Sequence, residues 1–379
     1  MLIATMTARD SVANVSFHAD RLMLLNQVSS FSTRLARWMF LAAVSLSVVQ
    51  APAAQAGLSS VNKLYVFGDS LSDSGNSGQL SGGVFPPPPY FENRFSNGKV
   101  AVEYLWDILN PGNTSFAASL LGGTNYAVGG ASSGKVNSIE QATYDNKGIA
   151  WQLSSFQADN PQFNPSTSLF VVRVFPNDVF YYTNANTSGL SVGTYAGGDG
   201  GAVPFSALPA IGVKNVVGTI QVLASSGAEN FLVVNSPDLG KAPAYLNTPE
   251  EGIMSEVSQA FNTLLESEIA ALAGLNPQLG ITLFDTNNLL NQVLANPLDY
   301  GFTNVTTACY ANFTVCSDPS SHLYWDRLHP TTRGHALFAQ GMARALAVPA
   351  PLPISGSVML FGWSRKLRQR VRRSLPPAA

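Results

Sequence analysis

Short apolar runs separated by stretches of helical spacing constrain this chain more than any other feature. Five runs recur along it: Lys63–Phe67, Thr124–Val128, Leu169–Val174, Asn230–Asn235 and Ile281–Asp285. Each is rich in Val, Phe, Tyr, Leu or Ile and bounded by turn residues, which predicts strands buried on both faces. Between them, Val213, Val216, Val217, Ile220, Leu223 and Ala224 fall on one face of a helix, and Ile253–Leu275 repeats the pattern. Strands alternating with helices build βαβ units, hence a parallel sheet with right-handed crossovers. Ligands of such sheets sit beyond the carboxyl ends of the strands, so the residues just after each strand matter most. The inserts around Phe85-Pro-Pro-Pro-Pro-Tyr90 and over Tyr182–Pro204 read as loops rich in Gly, Pro, Asn and Ser.

Composition adds what this pattern leaves out. The chain has 379 residues, of which 46% are hydrophobic, enough for a large core and too many for global disorder. A formal net charge of −2 hides three segments. Residues 57–347 hold 11 basic against 21 acidic side chains, while residues 348–379 hold six basic and none acidic. An acidic body with no basic excess argues against nucleic acid as a partner.

Both ends read as addresses. Arg34 and Arg37 precede the apolar run Trp38–Val49, and Ala54 and Ala56 then suit a signal-peptidase cut before Gly57. That order predicts a secretory signal peptide over residues 1–56, too short in its apolar part for a membrane span. The stretch before it is long for a signal and carries Asp10, His18 and Asp20, which raises Met23 as an alternative start. At the other end, Val348-Pro-Ala-Pro-Leu-Pro353 leads through Ile354–Trp363 into Arg365, Lys366, Arg368, Arg370, Arg372 and Arg373. A proline-rich hinge, an apolar stretch and a basic cluster fit a membrane-retention signal. The tail resembles the PEP-CTERM sorting signal that an exosortase reads. The two ends together predict export to the surface, exterior or periplasm of a Gram-negative-type bacterium. Residues 57–347 are left as one α/β domain.

The first strand is followed by Phe67-Gly-Asp-Ser70-Leu-Ser-Asp-Ser-Gly-Asn76. Gly68 permits a tight turn, and Ser70 then stands at the carboxyl end of the strand. Histidines narrow the choice of a base, because the body holds only His322, His329 and His335. His329 follows Asp326 by three residues, just before a helix beginning near Thr332. At that spacing Asp326 can accept Nδ1–H of His329, which leaves Nε2 to accept the Ser70 proton. His335 and His322 are assigned to packing or structure. A rival nucleophile is Ser132 in Gly130-Ala-Ser132-Ser-Gly134, which matches the G-x-S-x-G elbow. That elbow needs a helix directly after it, and Lys135–Gly148 is polar without a helical period. Cys309 and Cys316 lie in the loop before the Asp–His turn, as a disulfide in an exported protein or as two buried thiols. Two cysteines without clustered histidines give no metal site, and no cofactor is required.

Gly68-Asp69-Ser70-Leu71, Asn125-Tyr-Ala-Val-Gly-Gly-Ala131, Asn177-Asp178 and Asp326-x-x-His329 together resemble the GDSL/SGNH hydrolases, as does Arg94-Phe-Ser-Asn-Gly98 leading into Val102-Glu-Tyr-Leu105. The resemblance runs in order from about residue 62 to 346. It implies a flavodoxin-like three-layer α/β/α sandwich around a central, mostly parallel five-stranded sheet. It implies hydrolysis of carboxylic esters through an acyl-enzyme, with Ser70 as nucleophile and Asp326 and His329 as partners. The oxyanion hole is implied to be the N–H groups of Ser70 and Gly130 with the side-chain amide of Asn177. Short-chain, lipid and acetylated-glycan esters all fit these blocks. One position departs: the family's glycine before Asn-Asp is Phe175-Pro176 here, and a side chain resists positive φ. Either the turn is built differently or Asn177 is displaced. The second outcome would leave a surface protein that keeps the fold without the activity.

Overall fold

The computed structural model describes residues 60–185 and 203–347. The predicted signal, the sorting tail and most of the Tyr182–Pro204 insert lie outside the described residues. Strand β1 (Lys63–Gly68) leads into the short helix α1 (Asn76–Leu80), then α2 (Ala101–Leu109) and α3 (Ile149–Asp159). Strand β2 (Ser168–Arg173) is followed by α4 (Pro176–Ala185) and α5 (Leu208–Ser225). Strand β3 (Asn230–Val234), α6 (Glu251–Leu275), β4 (Gly280–Phe284) and α7 (Thr286–Ala295) complete the alternation. Short strands β5 (Asn304–Ala308), β6 (Tyr310–Ala311), β7 (Thr314–Val315) and β8 (His322–Tyr324) precede α8 (Thr332–Ala347).

The main sheet is parallel in the order β1-β2-β3-β4, with Val66 opposite Val171, Val171 opposite Leu232, and Leu232 opposite Thr282. Because side chains alternate across a strand, each strand feeds two cores. Tyr65, Phe67, Phe170, Val172, Phe231 and Val233 meet α3, α5 and α6 on one face. Leu64, Val66, Leu169, Val171, Leu232 and Val234 meet α2 and α8 on the other. The result is the three-layer α/β/α arrangement. The helical spacing holds: Val213, Val216, Ile220 and Leu223 of α5 are buried, as are Met254, Val257, Phe261, Leu265, Ile269 and Leu272 of α6.

Two expectations need correction. The second run, Thr124–Val128, lies parallel to β1 but does not become a strand of the sheet. Val66 N–H donates to Thr124 O, while Tyr126 and Val128 donate back to Val66 O and Gly68 O. Its far edge is closed by a backbone bridge to Ala118 and by a side chain, since Asn76 Nδ2 donates to the carbonyls of both Asn125 and Ala127 (2.7 and 2.8 Å). Four strands plus one bridged segment therefore replace the five. The predicted loop at Tyr182 also begins late, because α4 continues to Ala185.

Candidate active site

Ser70 stands where β1 ends, 7% exposed, and its Oγ lies 2.8 Å from His329 Nε2. The other ring nitrogen, Nδ1, lies 2.7 Å from Asp326 Oδ2. Asp326 Oδ1 accepts the backbone N–H groups of Leu328 and His329, both at 2.7 Å. The carboxylate thus closes the very turn that presents the imidazole, which is why a three-residue spacing suffices. Burial opposes ionisation of Asp326, but facing His329 and these hydrogen bonds bring its pKa below the ordinary carboxylate value. Burial likewise opposes a charged His329, yet Asp326 outweighs it and raises the imidazole above its ordinary value.

The Asp–His turn is held from outside by Arg94–Gly98. Ser96 Oγ donates to Pro330 O at 2.9 Å, and Asn97 Oδ1 accepts the Thr332 N–H at 2.8 Å, capping α8. Phe95 lies against the His329 ring, centroids 5.3 Å apart. Arg94 pairs with Glu103 at 3.0 Å, and Glu103 accepts the Val100 N–H at the start of α2. The loop bearing Ser70 is pinned from inside by Asp73, whose carboxylate accepts the N–H groups of Gly75, Asn76, Ser77 and Gly129.

Three donors beside Ser70 were expected to face an oxyanion. Among the described residues, no protein acceptor engages the N–H of Ser70 or Gly130, or Nδ2 of Asn177. Gly130 has φ +74°, and a Cβ there would lie 2.3 Å from Asn137 Oδ1, so only glycine fits. Ser138 links two of the donors: its N–H donates to Gly130 O at 2.7 Å and its hydroxyl to Asn177 Oδ1 at 2.6 Å. With Oδ1 occupied, the Asn177 amide keeps Nδ2 for a ligand.

Phe175 resolves the departure before Asn177. It takes φ +148°, a conformation that glycine favours. Its ring is fully buried and stacked on Phe261, centroids 3.9 Å apart and planes 5° from parallel. It lies over Gly212, where a Cβ would come within 2.5 Å of it. Packing from α5 and α6 offsets the backbone strain, and Asn177 stays in the pocket.

Ser132 does not share this site: it is buried, its hydroxyl donates to Val136 O at 2.7 Å, and no helix follows it directly. His335 is buried under α2, where its Nδ1 accepts the Ala101 N–H at 3.2 Å; burial and Arg173 hold its pKa well below the ordinary value. His322 opens β8, with Nδ1 3.6 Å from Cys316 Sγ. Cys309 and Cys316 are joined, with Cα atoms 4.8 Å apart. Among the described residues, the group with metal-like spacing is Cys309, Cys316 and His322, and its two sulfurs are bonded to each other.

Sequence reasoning missed several partners. Asp69 and Arg173 are buried beside Ser70; burial raises the Asp69 carboxyl and pushes the Arg173 guanidinium down to about 10. Gln152 brackets Gly68, accepting its N–H at 2.9 Å and donating to its carbonyl at 2.7 Å. Tyr90, at the end of the proline run, donates to Asp326 Oδ2 at 2.7 Å. A cavity of about 50 Å³ adjoins Ser70, Asn177 and His329 and is walled by Leu71, Phe180, Leu239, Leu290, Leu323 and Phe338.

A hydroxyl, an imidazole and a carboxylate joined in series at the carboxyl edge of a parallel sheet are the layout of a serine-type hydrolase. Residues 64–342 match the GDSL-like lipase/acylhydrolase family model. The chain belongs to that family and is a carboxylic ester hydrolase. It is similar to a GDSL esterase/lipase of Arabidopsis thaliana, 26% identical, over 75% of this chain and 85% of that one. It is also similar to the thermolabile hemolysin of Vibrio parahaemolyticus, 28% identical, over 74% of this chain and 63% of that one. Among solved structures, an α/β hydrolase from the metagenome of Lake Arreo, Spain, superposes with a TM-score of 0.42 at 14% identity, over 77% of this chain and 98% of that one.

Proposed function

We propose that this ester hydrolase is exported and works through an acyl-enzyme formed on Ser70. The observation that carries the reading is the unbroken series from Ser70 Oγ to His329 Nε2 (2.8 Å) and from His329 Nδ1 to Asp326 Oδ2 (2.7 Å). Ser70 Oγ attacks the acyl carbon while its proton passes to His329 Nε2. The carbonyl oxygen takes up negative charge opposite the N–H groups of Ser70 and Gly130 and Nδ2 of Asn177. Removing one such donor typically costs about 10²–10³ in turnover. The imidazolium, held by Asp326, gives its proton to the departing alkoxide, and the alcohol leaves. Water then attacks the acyl-enzyme as His329 takes its proton, and the carboxylic acid departs from a regenerated Ser70.

We read the cavity as the place of the acyl half of the substrate, and its walls support this. Leucine and phenylalanine side chains favour an aliphatic group over a sugar, and about 50 Å³ favours a short one. Hydrolysis of aryl esters from two to sixteen carbons, beside acetylated xylan, tests this. The expected optimum lies at short linear acyl chains and is abolished by Ser70→Ala. An optimum at the longest chains would contradict the pocket assignment.

A further inference from the structure

We propose that Tyr90 is a positioning residue for the Asp326–His329 pair, through the hydrogen bond its hydroxyl donates to Asp326 Oδ2. The inference rests on the reading of His329 as the base. Oδ2 receives Tyr90 Oη–H and His329 Nδ1–H, each at 2.7 Å, while Oδ1 receives two backbone amides. Among the described residues, Tyr90 is thus the one donor to this carboxylate that comes from outside the Asp–His turn.

The ring of Tyr90 is fixed for this task. It meets Tyr310 edge-on at 5.8 Å and Trp325 edge-on at 6.2 Å, and those two rings stack at 5.6 Å. Tyr310 follows Cys309 directly, and its N–H donates to Trp325 O at 2.6 Å. The disulfide-closed hairpin of β6 and β7 therefore braces Tyr90, and through it the carboxylate. Burial, then Asp326, pushes the phenol well above its ordinary value, so the donor persists across the working pH range.

Chemically, a proton donor on Oδ2 withdraws charge from the oxygen that faces the imidazole. Without it, Asp326 would stabilise the imidazolium more strongly, and His329 would hold the proton it must return to the leaving group. The other groups bearing on the pair are Tyr310 beside Tyr90, and Asp69 and His335 on the inner side, both of which face Arg173. All remain when only the phenol oxygen is removed, so the difference isolates that hydrogen bond.

Tyr90→Phe keeps the ring and its packing. The His329 titration, followed by NMR of the labelled imidazole without substrate, is expected to move to higher pH. The acidic limb of kcat/KM should move with it, while kcat falls about tenfold, as for a lost bond to a charged group, and KM stays within about twofold. Tyr310→Leu, which loosens the brace but spares the hydroxyl, should move the titration the same way by less. A His329 midpoint that is unchanged or lowered in both variants overturns the proposal. A wild-type protein that hydrolyses no ester rejects the hydrolase mechanism instead, and the resting-state titration still decides the role of Tyr90.

Discussion

His329 must be neutral at Nε2 to take a proton from Ser70, so its surroundings set the pH at which the site can work. Asp326 raises the imidazole above its ordinary value of 6.5, against the opposing effect of burial. The sign follows: activity is lost as pH falls through that raised value, and the acidic limb of kcat/KM lies above 6.5. A pH–rate profile with its limb at or below the ordinary histidine value would contradict the assignment. At this scale much was legible. Three histidines in residues 57–347 and one Asp-x-x-His spacing single out His329, because a carboxylate three residues away closes its own turn. Tyr90 was not legible, since nothing local ties residue 90 to residue 326. The fold brings them together through a direct hydrogen bond, braced by the aromatic cluster of Tyr310 and Trp325.

Elements show where sequence reasoning fails for a physical reason. The turn from β2 to α4 carries Phe175 where a glycine would be the easy choice, and read alone it suggests a damaged site. The compensation is tertiary: Phe261 on α6 stacks on the ring and Gly212 on α5 makes room for it. Neither could be inferred from the turn. Phe175→Gly relieves strain worth about 1–3 kcal/mol but loses packing worth about 3–5 kcal/mol. The variant is therefore expected to be less stable by about 1–3 kcal/mol in denaturant titration, with kcat within a few-fold of wild type. Loss of activity at unchanged stability would contradict this account. The run Thr124–Val128 teaches the same lesson. Its apolar pattern predicts a strand, but a single bridge to Ala118 and side-chain hydrogen bonds from Asn76 close its outer edge. The helices α5 and α6 were readable because their burial period is local.

At the scale of the whole molecule, the chain divides by charge more clearly than by composition. An acidic hydrolase body lies between two basic ends that read as trafficking signals. If that reading holds, protein recovered from the cell envelope of its source begins at Gly57 by N-terminal mass spectrometry; an intact Met1 or Met23 terminus would contradict export through this signal. The residues of the proposed site all lie in the body, where distant stretches of chain converge on Ser70. Asp73 ties the Ser70 loop to Gly129, Ser138 ties Gly130 to Asn177, and Ser96 and Asn97 tie the Asp–His turn to the loop before α2. The central claim is that this convergence activates Ser70. A fluorophosphonate probe followed by intact-mass and peptide mapping tests it most directly. One adduct per chain is predicted, on Ser70, absent from Ser70→Ala and suppressed in His329→Ala. No adduct on the folded wild-type protein, or an adduct on Ser132, would contradict it.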